Sequence, residues 1–308
     1  MGRGRRLGIE RFWGIVAVTK PTLRLVSNNG MGKPIPTPAA WSQPLADYTL
    51  FLSAANRPAT TQKLRLYHLR RFAATTGVEP YEAIEHDLLT YMGRHAWDAN
   101  TRRSVRSSLR SFYTWAHAKG RISVDPSHGM PIVTGTPGRP RPASESAVAA
   151  GVTAIDRRVR LMVTLGARVG LRCCEIAKVS LTDIRPDLMG YSLLVHGKGN
   201  KKRIVPLNDQ VVGAIRDYVA LEGLTGYLFP GQIDGHLSAG YVSKIISAVL
   251  PEGVTAHMLR HRFGSRAFIG SNNDLLAVQR LLGHASVATT QIYVAVPDDA
   301  LRAGVNAA

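Results

Sequence analysis

Cysteine is nearly missing from this chain: two residues in 308, and they are neighbours, Cys173 and Cys174. An adjacent pair is badly shaped for an ordinary disulfide, so no disulfide framework is expected, and the composition suits a reducing, intracellular setting. The same scarcity leaves no zinc-ligand pattern. Long apolar runs are missing as well. No stretch approaches the ~20 apolar residues of a membrane span, which excludes a transmembrane helix. The run from Phe12 to Val18 is short, Glu10 and Arg11 abut it and no small-residue cleavage pattern follows, so it is not read as a signal peptide. Acidic side chains are scarce, 21 against 39 Lys and Arg, for a net charge of +18. No Gly-x-x-x-x-Gly-Lys-Ser/Thr word and no paired-carboxylate cluster stand out, which argues against nucleotide-loop and two-metal nuclease chemistry.

What is present is ample for folding, since 45% of residues are hydrophobic and the length suits about two domains. The excess of Lys and Arg points to a polyanion, because neutralised phosphates release their counterions. Residues 1–40, with Asn28, Asn29, Gly30 and prolines at 34, 36 and 38, read as a basic, flexible N-terminal segment. From residue 41 the apolar spacing becomes helical. Leu45, Tyr48 and Leu52 suit one helix, Leu64, Leu66, Leu69 and Phe72 a second, and Ile84, Leu88, Leu89 and Tyr91 a third. A fourth, with Asn100 expected as its cap, places Val105, Leu109, Phe112, Tyr113 and Ala116 on one stripe. Its other side carries Arg102, Arg103, Arg106 and Arg110 with no interleaved acid, and the second helix adds Lys63, Arg65, Arg70 and Arg71, so both are expected to follow a phosphate backbone. Residues 129–142 are rich in Pro and Gly and read as a linker, made basic by Arg139 and Arg141.

Beyond the linker, 143–308 reads as a second domain, mostly helical with a small β-hairpin. Ser144 or Ser146 suits a first N-cap, and an apolar helix through Val159, Leu161, Met162 and Leu165 runs to Gly170. Arg172 follows, with Glu175 three residues on to brace its guanidinium. Residues 192–196 and 203–205 alternate like two strands around Gly197-Lys198-Gly199-Asn200, which puts Lys198 at a hairpin tip. Helices are read over 211–221 and 239–250. Then His257, Arg260 and His261 fall at helical i, i+3 and i+4 spacing. A helix through Leu275, Val278, Leu281 and Leu282 is ended by Gly283, with His284 just beyond. Ser286 suits the cap of a last short helix carrying Tyr293.

Gly170-Leu171-Arg172-x-x-Glu175, the hairpin Lys198, His257-x-x-Arg260, Leu282-Gly283-His284 and Tyr293, in that order, resemble the tyrosine recombinase family, the phage integrases and their chromosomal relatives. Each word alone is weak, whereas the ordered set is specific. Arg262, Val169 and the Cys173-Cys174 pair depart mildly from the family pattern. The resemblance implies an α+β, mainly helical protein. A four-helix core-binding domain at 41–128 and a catalytic domain at 143–308 would close around a duplex as a C-shaped clamp. It implies site-specific DNA recombination through a 3′-phosphotyrosyl intermediate with Tyr293 as nucleophile. Arg172 and Arg260 would grip the scissile phosphate, Lys198 would act as general acid and His257 as proton acceptor, and His284 would donate a hydrogen bond to the phosphate. Glu175 would orient Arg172. Neither ATP nor metal is required, because the covalent intermediate keeps the energy of the broken bond.

The implied partners are double-stranded DNA attachment sites, three further copies in a synaptic homotetramer, and a host DNA-bending protein or directionality factor, with no membrane; the setting is cytoplasmic, on the nucleoid. A tail bearing Asp298, Asp299 and Leu301 would dock in a neighbouring subunit. The expectation is an integrase of a phage or mobile element. A chromosome-dimer resolving recombinase is the alternative, ahead of a type IB topoisomerase or a DNA-binding regulator.

Overall fold

A computed structural model describes residues 35–134, 140–197, 201–284 and 290. The chain divides into two compact units, with the division falling between residues 134 and 140.

The first unit holds four helices: α1 Ala39–Ala54, α2 Ala59–Thr76, α3 Glu85–Arg94 and α4 Ala99–Ala118. Aromatic burial drives their packing. Trp41, Tyr48, Phe72, Tyr91, Phe112 and Tyr113 are all buried, and Tyr48 meets Phe112 edge-on at 5.3 Å. The apolar stripe expected on α4 is buried throughout. Its cap is Asp98 rather than Asn100. The Asp98 carboxylate accepts the N–H groups of Asn100 and Thr101 at 2.8 and 3.0 Å, which leaves Asn100 inside the first turn. Leu64, Ile84 and Leu89 were expected inside and are exposed. On α2 the buried stripe runs through Leu69, Phe72 and Ala73, and at about 100° per residue Leu64 falls outside it.

The second unit begins with α5 Glu145–Val152, capped by Ser144, then α6 Arg157–Arg168 and the single turn α7 Cys173–Ile176. A three-stranded antiparallel sheet follows in the order β1 Ile184–Asp187, β2 Gly190–His196, β3 Lys202–Leu207. The β2–β3 hairpin is the one the alternation predicts, with Val195 opposite Arg203 and Leu193 opposite Val205. β1 has no sequence signal, because only Ile184 of its four residues is buried. Helix α8 Asp209–Glu222, a short strand β4 Pro230–Ile233, and helices α9 Ala239–Val249, α10 Ala256–Gly270 and α11 Leu275–Leu282 complete the unit. Helix α6 buries Leu161, Met162, Val163 and Leu165. Gly166 lets α10 lie close to it, since a methyl group there would stand 3.3 Å from Leu259. Among the described residues no helix is long and apolar enough to cross a membrane, and no cluster of three or more His, Cys, Asp or Glu could hold a metal ion.

Candidate active site

The turn between α6 and α7 delivers Arg172. Gly170 has φ +72, and a Cβ there would lie 2.3 Å from the Phe263 ring. Both the left-handed backbone and the close approach of α10 therefore require glycine. Leu171 is buried, and Arg172 starts α7. Glu175, three residues on, reaches back with Oε2 to accept the Arg172 backbone N–H at 2.9 Å, while Oε1 accepts Arg172 Nη1 at 2.8 Å.

Glu175 serves more than one arginine. Arg203 of β3 binds it with both ends of its guanidinium, Nη1 to Oε1 at 2.7 Å and Nη2 to Oε2 at 2.9 Å. Arg260 Nη1 lies 3.7 Å from Oε2. The carboxylate side chain has no solvent exposure. Burial pushes its pKa up, but the hydrogen bonds and charge of Arg203, the Arg172 N–H and the charge of Arg260 outweigh burial and hold it below the usual carboxylate range. Three guanidinium groups around one carboxylate leave the site cationic.

Arg260, on α10, is wholly enclosed. It donates to the Gly170 carbonyl, to the Leu282 carbonyl at 2.6 Å, and to His284 Nε2 at 3.1 Å. It thereby joins the α6–α7 turn to the end of α11. That helix ends at Gly283, φ +66, whose N–H returns to Gln279 and Arg280, as the glycine predicted. A guanidinium has no acceptor, so His284 Nε2 accepts, and the proton sits on Nδ1, which faces Thr290 Oγ1 at 3.0 Å. His284 is accordingly neutral, its pKa lowered to about 4 by burial and by Arg260, Arg172, Arg203 and His257. The Nε2 atom that would donate to phosphate accepts a hydrogen bond from Arg260 in this structure.

His257 stands one turn before Arg260 and is exposed, its ring edge-on to His261 at 4.9 Å. Partial burial, Arg260 and Arg172 lower its pKa. His261 is lowered to about 4 by burial, His257 and Arg260. Arg172 keeps an open side, 31% of its side chain, against 11% for Arg203 and none for Arg260.

The structure thus gathers Arg172, Glu175, His257, Arg260 and His284. Lys198 and Tyr293 lie outside the described residues, as do Arg139 and Ser286. The hairpin base that bears Lys198 is fixed by the Gly197 N–H on the Lys201 carbonyl at 2.8 Å. Arg203 was missed because it ends a run of basic residues that reads as a solvated tip. The signal was its register: 203, 205 and 207 alternate onto one face, and Val205 and Leu207 are core. Arg262 is a tie between helices, gripping the Glu145 carboxylate at 3.0 and 2.6 Å and the Ala167 carbonyl at 3.1 Å.

The cations of the first unit are less uniform than their charge pattern. Arg102 donates to the carbonyls of Met92 and His95 at 2.6 and 2.9 Å, closing the end of α3, where a helix leaves carbonyls unpaired. Arg106 donates to Met130 O at 2.7 Å and Arg103 to Val133 O at 3.0 Å. Arg65 binds Ser111 and Tyr48, Arg70 binds Thr37, and Arg71 lies over Trp97 at 5.6 Å. Six of the ten proposed contacts, Arg65, Arg70, Arg71, Arg102, Arg103 and Arg106, therefore also brace their own unit. Lys63 and Arg141 are exposed, and Arg110 is half-buried.

Comparison with known proteins agrees with this architecture. The Phage integrase family profile matches residues 145–299. Tyrosine recombinase XerC of Xanthomonas axonopodis pv. citri (strain 306) is 32% identical over 258 residues, covering 77% of this chain and 75% of the relative. Tyrosine recombinase XerD of Rhizobium meliloti (strain 1021) is 27% identical over 284 residues, 82% of this chain and 90% of the relative. In fold, the chain resembles a lambda integrase(75-356) dimer bound to a COC' core site, with a TM-score of 0.65 at 18% identity over 80% of this chain and 96% of that one. It also resembles XerH site-specific recombinase bound to palindromic difH substrate, with a TM-score of 0.64 at 18% identity over 85% and 83%. Fold and relatives together define an enzyme that cleaves and rejoins DNA strands. The chain belongs to the phage integrase family, that of the tyrosine recombinases.

Proposed function

We propose that this chain is a site-specific recombinase of the XerC and XerD kind, acting on double-stranded DNA through a 3′-phosphotyrosyl intermediate. The names of its curated relatives favour this reading over a phage integrase, reversing the order of the two expectations. The observation that carries the chemistry is the buried Glu175 carboxylate with three guanidinium groups around it, one of them open to solvent.

Phosphoryl transfer asks for an in-line nucleophile, cations on the non-bridging oxygens and a proton for the leaving oxygen. Tyr293 attacks the phosphorus, and its proton passes to His257, which is neutral at pH 7 because its pKa is lowered. Arg172, aimed by Glu175, grips the phosphate bidentately. Arg260 supplies charge from inside the low-dielectric wall, where it acts most strongly. His284, held between Arg260 and Thr290, donates a hydrogen bond to the phosphate. Lys198 protonates the departing 5′-oxygen. Lys63, Arg110, Arg139 and Arg141 bind DNA phosphates, and Arg65, Arg70, Arg71, Arg102, Arg103 and Arg106 do so with the donors left over from their internal contacts. The units 41–128 and 143–308, joined by 129–142, both bind the duplex. Four copies pair two sites, with a host DNA-bending protein or directionality factor as accessory, on the nucleoid.

The test is covalent capture. Purified protein is mixed with fragmented source DNA and denatured with SDS, and the attached DNA is sequenced, with Tyr293→Phe as control. Adducts at one chromosomal locus, absent from the variant, are expected. Adducts at the junction of a mobile element would restore the integrase reading, and relaxation of any supercoiled plasmid by a monomer would indicate a topoisomerase. Salt-sensitive DNA binding without adducts would leave a DNA-binding regulator.

A further inference from the structure

Arg203 bonds both to the carboxylate aiming Arg172 and to the helix end carrying His284. Its Nη atoms occupy both oxygens of Glu175, and its Nε donates to the Leu281 carbonyl at 2.8 Å. Its stem is packed under Gly283, where a Cβ would meet Arg203 Cδ at 2.8 Å. In sequence it stands five residues after Lys198, in the strand that leaves that hairpin. Glu175, the hairpin and the end of α11 thus converge on one guanidinium.

We infer that Arg203 is a positioning residue for DNA cleavage: it fixes the Glu175 carboxylate and the end of α11, and through them the Arg172 guanidinium and the His284 ring. The inference rests on the recombinase reading above for what Arg172 and His284 do. Two observations separate this role from packing. Position 203 shares its face with Val205 and Leu207, so an apolar residue would continue the core there, and a buried ion pair is seldom more stabilising than the apolar side chains that could replace it. A guanidinium is also needed for its shape. Three donors in one plane span two carboxylate oxygens and a carbonyl from a third segment, which an ammonium cannot do. Arg172 Nη1 shares Oε1 with Arg203, so a carboxylate released on the Arg203 side would also turn away from Arg172.

The experiment compares wild type, Arg203→Lys and Arg203→Gln. With saturating source DNA, Arg203→Lys is expected to bind as wild type and melt cooperatively near its temperature, but to form the phosphotyrosyl adduct about 10- to 100-fold more slowly, the effect of a small misplacement. The second measurement needs no cleavage. The Glu175 side-chain carboxyl is followed by carbon NMR against pH, and its titration is expected to move upward in Arg203→Gln, since Arg203 is the main group holding it down. A wild-type adduct rate in Arg203→Lys, or an unmoved Glu175 titration in Arg203→Gln, overturns the inference. So does loss of the cooperative melt, which would assign Arg203 to the fold alone. Wild-type protein that forms no adduct with any DNA overturns the recombinase reading instead, and the carboxyl titration then still decides the positioning claim.

Discussion

Glu175 concentrates the electrostatics of the second unit in one carboxylate. Glu175→Gln leaves the enclosed Arg260 and Arg203 without their counter-charge, and it should destabilise the unit by about 3–5 kcal/mol in urea unfolding; a change under ~1 kcal/mol would contradict the arrangement. Acid should act through the histidines. His68, His261 and His284 are buried, each with its pKa lowered to about 4, burial being the largest cause in each case. The unfolded chain takes up these protons near pH 6.5, while the folded one refuses them until about pH 4, so stability is complete above 6.5 and drains away between those values. The loss is on the order of 2 kcal/mol per histidine at pH 5. Melting temperature should fall steadily from pH 7 to 5, and His68→Gln should flatten the fall of the first unit; a level profile would refute the assignment. Glu175 was legible as the brace of Arg172 because the two share a helical turn. Its tie to Arg203 was not, because a β register lies between them and a basic run hides an inward-facing arginine.

The elements with strong periodicity were read correctly from sequence, and those without it were not. α4 buries the apolar stripe read from its spacing, and Gly283 ends α11 as glycine at that place requires. The cap of α4 was misread by two residues, since aspartate and asparagine are both good caps and sequence does not rank them. Asp98→Ala should lower the melting temperature of the first unit, whereas Asn100→Ala should change little; equal effects would refute the observed cap. Gly283→Ala carries a double burden, a left-handed backbone and contact with the Arg203 stem. It should lose about 1–2 kcal/mol of stability and, by pushing Arg203 aside, slow adduct formation beyond what stability explains. β1 escaped prediction because a strand with one buried residue has no alternation to read.

Each unit has its own buried apolar core, so each is expected to unfold as one cooperative body. Proteinase K should therefore cut first near Ile132, which is exposed close to the division between the units, and leave two fragments that each melt cooperatively; cutting spread evenly along the chain would argue against this. With a net charge of +18, DNA affinity should fall about a thousandfold between 50 and 200 mM salt, and Lys63→Ala should lower the log–log slope by about one. The order of the site along the chain has a consequence for synthesis. Arg260 is held by the carbonyl of Leu282 and the ring of His284, and the proposed nucleophile comes later still, so the ribosome makes the proposed DNA-binding helices first and completes the proposed active site last. A message broken or frameshifted after about residue 280 would yield a chain whose first unit is whole, whose Arg260 has lost the Leu282 and His284 contacts, and which lacks the proposed nucleophile.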